Sequence, residues 1–264
     1  MKNKSSRHKS KTAGKGSRRS GKSSKSEKLY LYGIHTIAAA LANPDRIKHR
    51  LMVTRNAGQR LRQPISQFAG SVEIFEAAPH DLDARVGRDA VHQGAVLECE
   101  ELAVKTLDDL SPGAPVLILD QVSDPHNVGA IMRSCVAMGV GTLIVTSRNS
   151  AAQSAVLAKS ASGALDLIDL IEVSNLSKAI ETLNMQGYQT IGLDSEGPDI
   201  LENSVRAETP IALVLGAEGK GLRQKTRETC LTLARLDMPG KIKSLNVSNA
   251  AVLALYVTRS KDPV

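Results

Sequence analysis

At 264 residues with 42% hydrophobic side chains, the chain can bury a core in one large domain or two modest ones and is not a disordered polymer. Four Tyr, two Phe and no Trp leave the interior to Val, Ile, Leu and Ala, and argue against a surface that stacks bases on aromatic platforms. The net charge of +7 is concentrated in residues 1–28, where eleven Lys or Arg stand against one acid, Glu27, so the remainder carries −3.

In chain order, residues 1–28 are too poor in apolar side chains to fold alone. They read either as a flexible arm that neutralises nucleic-acid phosphates or as a solvated tail without a specific partner. The segment is basic and Ser-rich, as a transit peptide is. Only Met1 and Ala13 are apolar before Leu29, however, so the expected compartment is the cytoplasm. Residues 29–102 read as a small α/β unit, with helical spacing over 35–41, an apolar run at 50–53, and strands at 71–75 and 94–98. Residues 103–115, rich in acids with Pro112, Gly113 and Pro115, read as a linker.

A second domain is expected over 116–264. Strands are predicted at 116–119, 142–145, 167–171, 190–193, 211–215 and 231–236, and helices at 128–138, 151–158, 176–185 and 247–259. Such alternation predicts an α/β fold with a mostly parallel sheet covered on both faces. Cys99, Cys135 and Cys230 are far apart and form no CxxC, which fits reduced thiols and not a disulfide framework. No His/Cys/Asp cluster has metal-ligand spacing, so no metal is expected, and no apolar stretch approaches the roughly 20 residues of a membrane span.

Ligands of open α/β sheets gather beyond the carboxyl ends of the strands. Three segments place polar residues there. In the first, Asn127 occupies what reads as a helix N-cap and Arg133 follows six residues on; alone, this reads as a cap and a surface arginine. The second, Gly-Ala-Glu-Gly-Lys-Gly at 216–221, follows a buried strand and reads as a binding loop or a tight turn. It is not a P-loop, because Leu222 follows Gly221, and no GxGxxG fingerprint follows a strand. In the third, capping accounts for one or two of Ser244, Asn246, Ser248 and Asn249 but not comfortably for all four.

Taken together, residues 127–133 (Asn-Val-Gly-Ala-Ile-Met-Arg), 216–221 and 244–248 (Ser-Leu-Asn-Val-Ser) resemble the three motifs of the SpoU (TrmH) family of RNA 2′-O-methyltransferases in order and wording. Residues 32–35 (Tyr-Gly-Ile-His) and 91–94 (Val-His-Gln-Gly) look like the N-terminal substrate-binding domain of the RlmB branch. That branch methylates a guanosine in the peptidyl-transferase region of large-subunit ribosomal RNA.

The resemblance implies a SPOUT-type catalytic domain with a deep trefoil knot, a homodimer, and S-adenosylmethionine as methyl donor. Periodicity shows none of this, and a knot runs against general expectation. By the same resemblance, Gly216, Leu236 and Leu245 lie against the cofactor, although core packing alone accounts for both leucines. Asn127, Arg133, Glu218, Ser244 and Asn246 match the polar catalytic positions. A guanidinium is too basic to accept a proton near neutrality. Arg133 is therefore expected to hold the target's phosphate and stabilise the developing alkoxide. Asn127 is expected to orient Arg133 or the ribose, Ser244 and Asn246 to shape the pocket, and Glu218 to bind loop amides. Ribosomal RNA is the favoured substrate. A transfer-RNA ribose methyltransferase, a noncatalytic RNA-binding assembly factor and a tail-driven nucleic-acid binder are the alternatives.

Overall fold

A computed structural model describes residues 28–68, 70, 72–147 and 153–259. The basic tail, apart from Lys28, lies outside the described residues. The first part of the chain runs β1 (Leu29–Tyr32), α1 (Ile34–Ala42), β2 (Lys48–Val53), α2 (Arg55–Arg60), α3 (Arg62–Phe68), β3 (Glu73–Glu76), α4 (Pro79–Val86) and β4 (Ala95–Cys99). These strands form a mixed sheet in the order β1-β4-β2-β3, with β4 antiparallel to both its neighbours and β3 parallel to β2.

The second part begins with β5 (Val116–Asp120), α5 (Pro125–Ala137), β6 (Thr142–Thr146), α6 (Ala155–Ala161), β7 (Asp169–Val173) and α7 (Leu176–Met185). It continues through β8 (Gln189–Leu193), β9 (Asp199–Ile200), α8 (Leu201–Ser204), β10 (Ile211–Gly216), α9 (Gln224–Thr229), β11 (Thr232–Arg235) and α10 (Val247–Arg259). Seven strands lie in the order β7-β6-β5-β10-β8-β11-β9, and every neighbouring pair is parallel. The central strands are buried along most of their length, as strands covered on both faces must be.

Alternation along the strands sends successive side chains to opposite faces. Val116, Ile118, Ala212 and Val214 pack with α7 residues Ile180 and Leu183 on one side. Leu117, Leu119, Leu213 and Leu215 pack on the other with Ile131 and Met132 of α5 and Ala251 and Leu255 of α10. That second core is continuous with Leu31, Ile37 and Leu51 of the mixed sheet and its helix, so the two sheets share apolar packing.

The joint between them is also polar. The side chains of Arg46 and Asp166 are both 0% exposed and meet at 2.8 Å from Nε to Oδ1. Asn43 Nδ2 donates to the same oxygen at 3.1 Å. Arg46 Nη1 donates to the Glu100 carbonyl, while Arg46 Nη2 and Asp166 Oδ2 have no hydrogen-bond partner.

Several boundaries differ from the sequence expectation. The helix predicted to start at 128 starts at Pro125. Its N-cap is Asp124, which accepts from the backbone N–H groups of His126 and Asn127, so Asn127 stands in the first turn and is not the cap. The helix predicted over 151–158 is described over Ala155–Ala161, where Ser154 accepts from Leu157 N; residues 148–152 lie outside the described residues. The strand expected at 71–75 is Glu73–Glu76, and residue 71 is also outside them. Within 103–115, Lys105 bridges to Ile171 at the sheet edge, and Leu107 and Leu110 pack on the α7-side core.

Candidate active site

The order of the parallel sheet reverses at β5. From there the chain winds outward through β6 and β7, then returns on the other side of β5 with β8 and β10. The carboxyl ends of β5 and β10 are therefore a topological switch point, where such sheets bind ligands. Asp120 and Gly216 are register partners at that point.

A cleft of about 410 Å³ opens there, within the usual size of small-molecule sites. It is lined by the ends of β8 and β10, the 217–221 loop, the segment after β11, and the start of α10. Gly216, Glu218, Leu236, Ser244 and Leu245 of the expected site are all on its wall. Leu236 is half-buried against the core, whereas Leu245 is exposed.

Gly216 is fixed by close approach. A Cβ there would stand 2.2 Å from the Gly221 carbonyl carbon and 2.5 Å from Leu222 N. The loop folds back on itself through Gly221 N donating to Ala217 O at 2.8 Å, with Gly219 and Gly221 at positive φ. The missing Cβ thus lets the 221–222 backbone pack directly against the end of β10 on the wall of the cleft.

Asn127, Asn246 and Glu218 come together although 28 to 119 residues separate Asn246 from the other two. Asn246 stands at the N-terminus of α10, where its Oδ1 accepts from Ser248 N at 2.9 Å and Ser248 Oγ at 2.6 Å. That cap turns the amide nitrogen outward. Nδ2 donates to Asn127 Oδ1 at 3.1 Å and lies 3.5 Å from Glu218 Oε2. Glu218 was expected to bind loop amides; its partner is Asn246.

Arg133 stands apart. Six residues along α5 rotate it about 120° from Asn127. The two side chains do not hydrogen-bond, and the exposed Arg133 side chain has no hydrogen bond or ion pair among the described residues. Asn127 therefore does not orient Arg133 within one chain.

Sequence reasoning missed the group that fixes the loop from behind. Asp120, fully buried, accepts from Arg223 N at 2.9 Å and from Arg223 Nε at 2.7 Å, tying β5 to the chain leaving the glycine loop. Asp194, at the end of β8, lines the cleft and pairs with Arg227. The only signal for either acid was its place at the end of a buried strand. Replacing Asp120 with Ala strands the Arg223 N–H and is expected to cost roughly 1.5–3 kcal/mol in urea unfolding; a cost below about 0.5 kcal/mol, the error of such data, would show the clamp to be dispensable. Burial pushes the thiols of Cys99, Cys135 and Cys230 up to about 12, which removes them as nucleophiles near neutrality.

Comparison with known proteins decides which chemistry this geometry belongs to. Residues 114–256 match the model of the SpoU rRNA Methylase family, and residues 30–104 match the model for RNA 2′-O ribose methyltransferase substrate binding. The chain belongs to the SpoU rRNA methylase family. All eight expected site residues fall within the SpoU span.

The SpoU relatives include the 23S rRNA (guanosine-2′-O-)-methyltransferase RlmB of Pseudomonas aeruginosa, 35% identical over 243 residues, or 89% of this chain and 97% of that one. The RlmB of Nitrosomonas europaea is 36% identical over 87% of this chain and 90% of its own. Among solved structures, the AdoMet-bound rRNA methyltransferase of Sinorhizobium meliloti superposes with a TM-score of 0.75 at 22% identity, covering 88% of this chain and 87% of that one. The SpoU methyltransferase AviRb of Streptomyces viridochromogenes, in complex with AdoMet, gives 0.73 at 23% identity, covering 88% and 89%. These two share the SpoU fold.

Proposed function

We propose that this chain transfers a methyl group from S-adenosylmethionine to the ribose 2′-hydroxyl of a guanosine in large-subunit ribosomal RNA. The observation that carries the reading is the Asn127–Asn246–Glu218 cluster beside the Gly216 cradle at the switch point. Exposed loop backbone, the apolar walls of Leu236 and Leu245, and an open volume of about 410 Å³ suit an adenosine-bearing ligand. The cofactor supplies an activated methyl on a sulfonium. Transfer of that methyl to the 2′-oxygen would leave the cofactor as its neutral thioether and release the hydroxyl proton to solvent.

The chain's residues act on the oxygen. Arg133 holds the target's phosphate and stabilises negative charge as the proton departs. Asn246, fixed by its cap, holds Asn127 and Glu218 in place, and Ser244 lines the wall nearby. The substrate name of the Pseudomonas relative, shared by the Nitrosomonas one, supports ribosomal RNA over transfer RNA.

The reading includes a cytoplasmic homodimer. Arg133 points away from Asn127, and α10, which packs on α5, exposes Leu253 at 46% and Tyr256 at 65%. A second copy seated on this face would cover both and set Arg133 at a boundary shared by the two copies. We assign residues 29–102 to substrate binding, 103–115 to a linker, 116–264 to a knotted catalytic domain, and 1–28 to an arm that neutralises phosphates.

Arg133→Lys tests the role of the guanidinium. Loss of the bidentate fork is expected to lower turnover roughly 10²–10³-fold with S-adenosylmethionine affinity unchanged. Near-normal turnover in single-turnover assays would remove the phosphate clamp from the mechanism.

A further inference from the structure

A polar track leads from the proposed active site into the joint between the two sheets, and the methyl transfer itself makes no use of it. His126 precedes Asn127, and its Nδ1 lies 3.1 Å from Ser160 Oγ. The neighbouring residue on α6, Lys159, reaches across the joint and donates from Nζ to Gln93 Oε1 at 3.1 Å. The same oxygen accepts from Ile34 N at 3.1 Å. His126, Ser160, Lys159 and Gln93 thus connect the first turn of α5 with the start of α1.

Lys159 has no counter-ion among the described residues, as Lys48 has none, but where Lys48 donates to the Leu41 and Asn43 carbonyls Lys159 donates to a side-chain amide. It is half-buried, and burial lowers the pKa of its ammonium. Among the described residues it has no carboxylate within ion-pair distance, and a neutral amide is its one partner. Lys28 and Lys105, by contrast, pair with Glu98 and Asp169. A cation drawn partly out of water without an anion is costly, and here it sits close against backbone. A Cβ on Gly33 would come within 2.5 Å of Lys159 Nζ. Gln93 holds its amide in place from a left-handed backbone at φ 56°, which costs a non-glycine residue energy.

Donors remain unused along this track. Lys159 has three and spends one on Gln93. Gln93 Nε2 has no partner among the described residues, and His126, with Nδ1 engaged by Ser160, is an exposed residue. Such a set matches the oxygens of a phosphodiester. Beyond the tail the chain is net negative, so a phosphate contact made by the folded part rests on local cations of this kind.

We propose that Lys159, held at the joint by Gln93, binds a backbone phosphate of the RNA substrate close to the methylated nucleotide, so that both parts of the chain grip one strand. The inference rests on the RNA methyltransferase reading. It adds a positioning residue that neither the cofactor cleft nor the three motifs contain.

The test uses the full chain, a transcript of the peptidyl-transferase region of 23S rRNA, and the variants Lys159→Met and Lys159→Arg. Met keeps the aliphatic stem and removes the charge. Losing one phosphate contact is expected to reduce the slope of log affinity against log salt by roughly 0.7–0.9 and to raise KM about five- to tenfold at low salt. The kcat, the Kd for S-adenosylmethionine and the melting temperature should stay near wild type, and Lys159→Arg should keep the slope. A Lys159→Met chain with an unchanged slope overturns the proposal; a lowered melting temperature beside that unchanged slope would make Lys159 a strut between the sheets. A wild type that does not bind the transcript overturns it as well. Wild-type methylation of the transcript, followed in the same preparations, judges the methyltransferase reading separately, because the slope reports binding alone.

Discussion

Gly216→Ala is expected to weaken S-adenosylmethionine binding at least about 100-fold, or roughly 2.7 kcal/mol, in isothermal titration calorimetry. The reason is steric and specific. The added Cβ would stand 2.2 Å from the Gly221 carbonyl carbon and 2.3 Å from its oxygen. Both are backbone atoms in a loop closed by the Gly221–Ala217 hydrogen bond, and Asp120 anchors the exit of that loop through Arg223. No rotamer change relieves such a contact, so the loop must move. Overpacking of this kind costs about 1–3 kcal/mol in stability. Circular dichroism should still report a folded chain. A Kd within threefold of wild type would mean that the loop conformation is irrelevant to cofactor binding.

Asp166→Ala is expected to carry the largest stability penalty, about 3–5 kcal/mol in urea unfolding. It would leave the Arg46 guanidinium buried with the Glu100 carbonyl as its remaining partner. The two sheets share one apolar core, so the loss should appear in a single cooperative transition. The wild-type pair is itself imperfect, since Arg46 Nη2 and Asp166 Oδ2 are unpartnered. Converting both residues together, Arg46→Met with Asp166→Leu, should therefore recover most or all of the loss. A double variant as unstable as Asp166→Ala would show that the ion pair itself holds the joint.

The sequence disclosed the α/β class because buried parallel strands are short apolar runs, and β5, β6 and β10 are legible as such. The three polar segments were legible because they follow those strands. Cap assignment failed at α5: Ser123, Asp124 and Asn127 are all capping residues, and Pro125 at the first helical position was the clue that selected Asp124. Helices α2 and α3 escaped because they bury one residue and none, and so lack an apolar period. Asp120 and Arg223 lie 103 residues apart, and no spacing rule joins them. Arg46, in a charged stretch, gave no sign of burial, since burial there is decided by a partner 120 residues away.

The claim that matters most is the reaction on RNA. Mass-spectrometric mapping of ribose methylation in ribosomal and transfer RNA, from cells with and without this gene, tests it directly. The account predicts loss of one 2′-O-methylguanosine in the peptidyl-transferase region of large-subunit RNA, restored by the wild-type chain and not by Arg133→Ala. Loss of a transfer-RNA mark instead would contradict the substrate, and full methylation at every ribose, in cells without a second methyltransferase for the site, would contradict the enzyme.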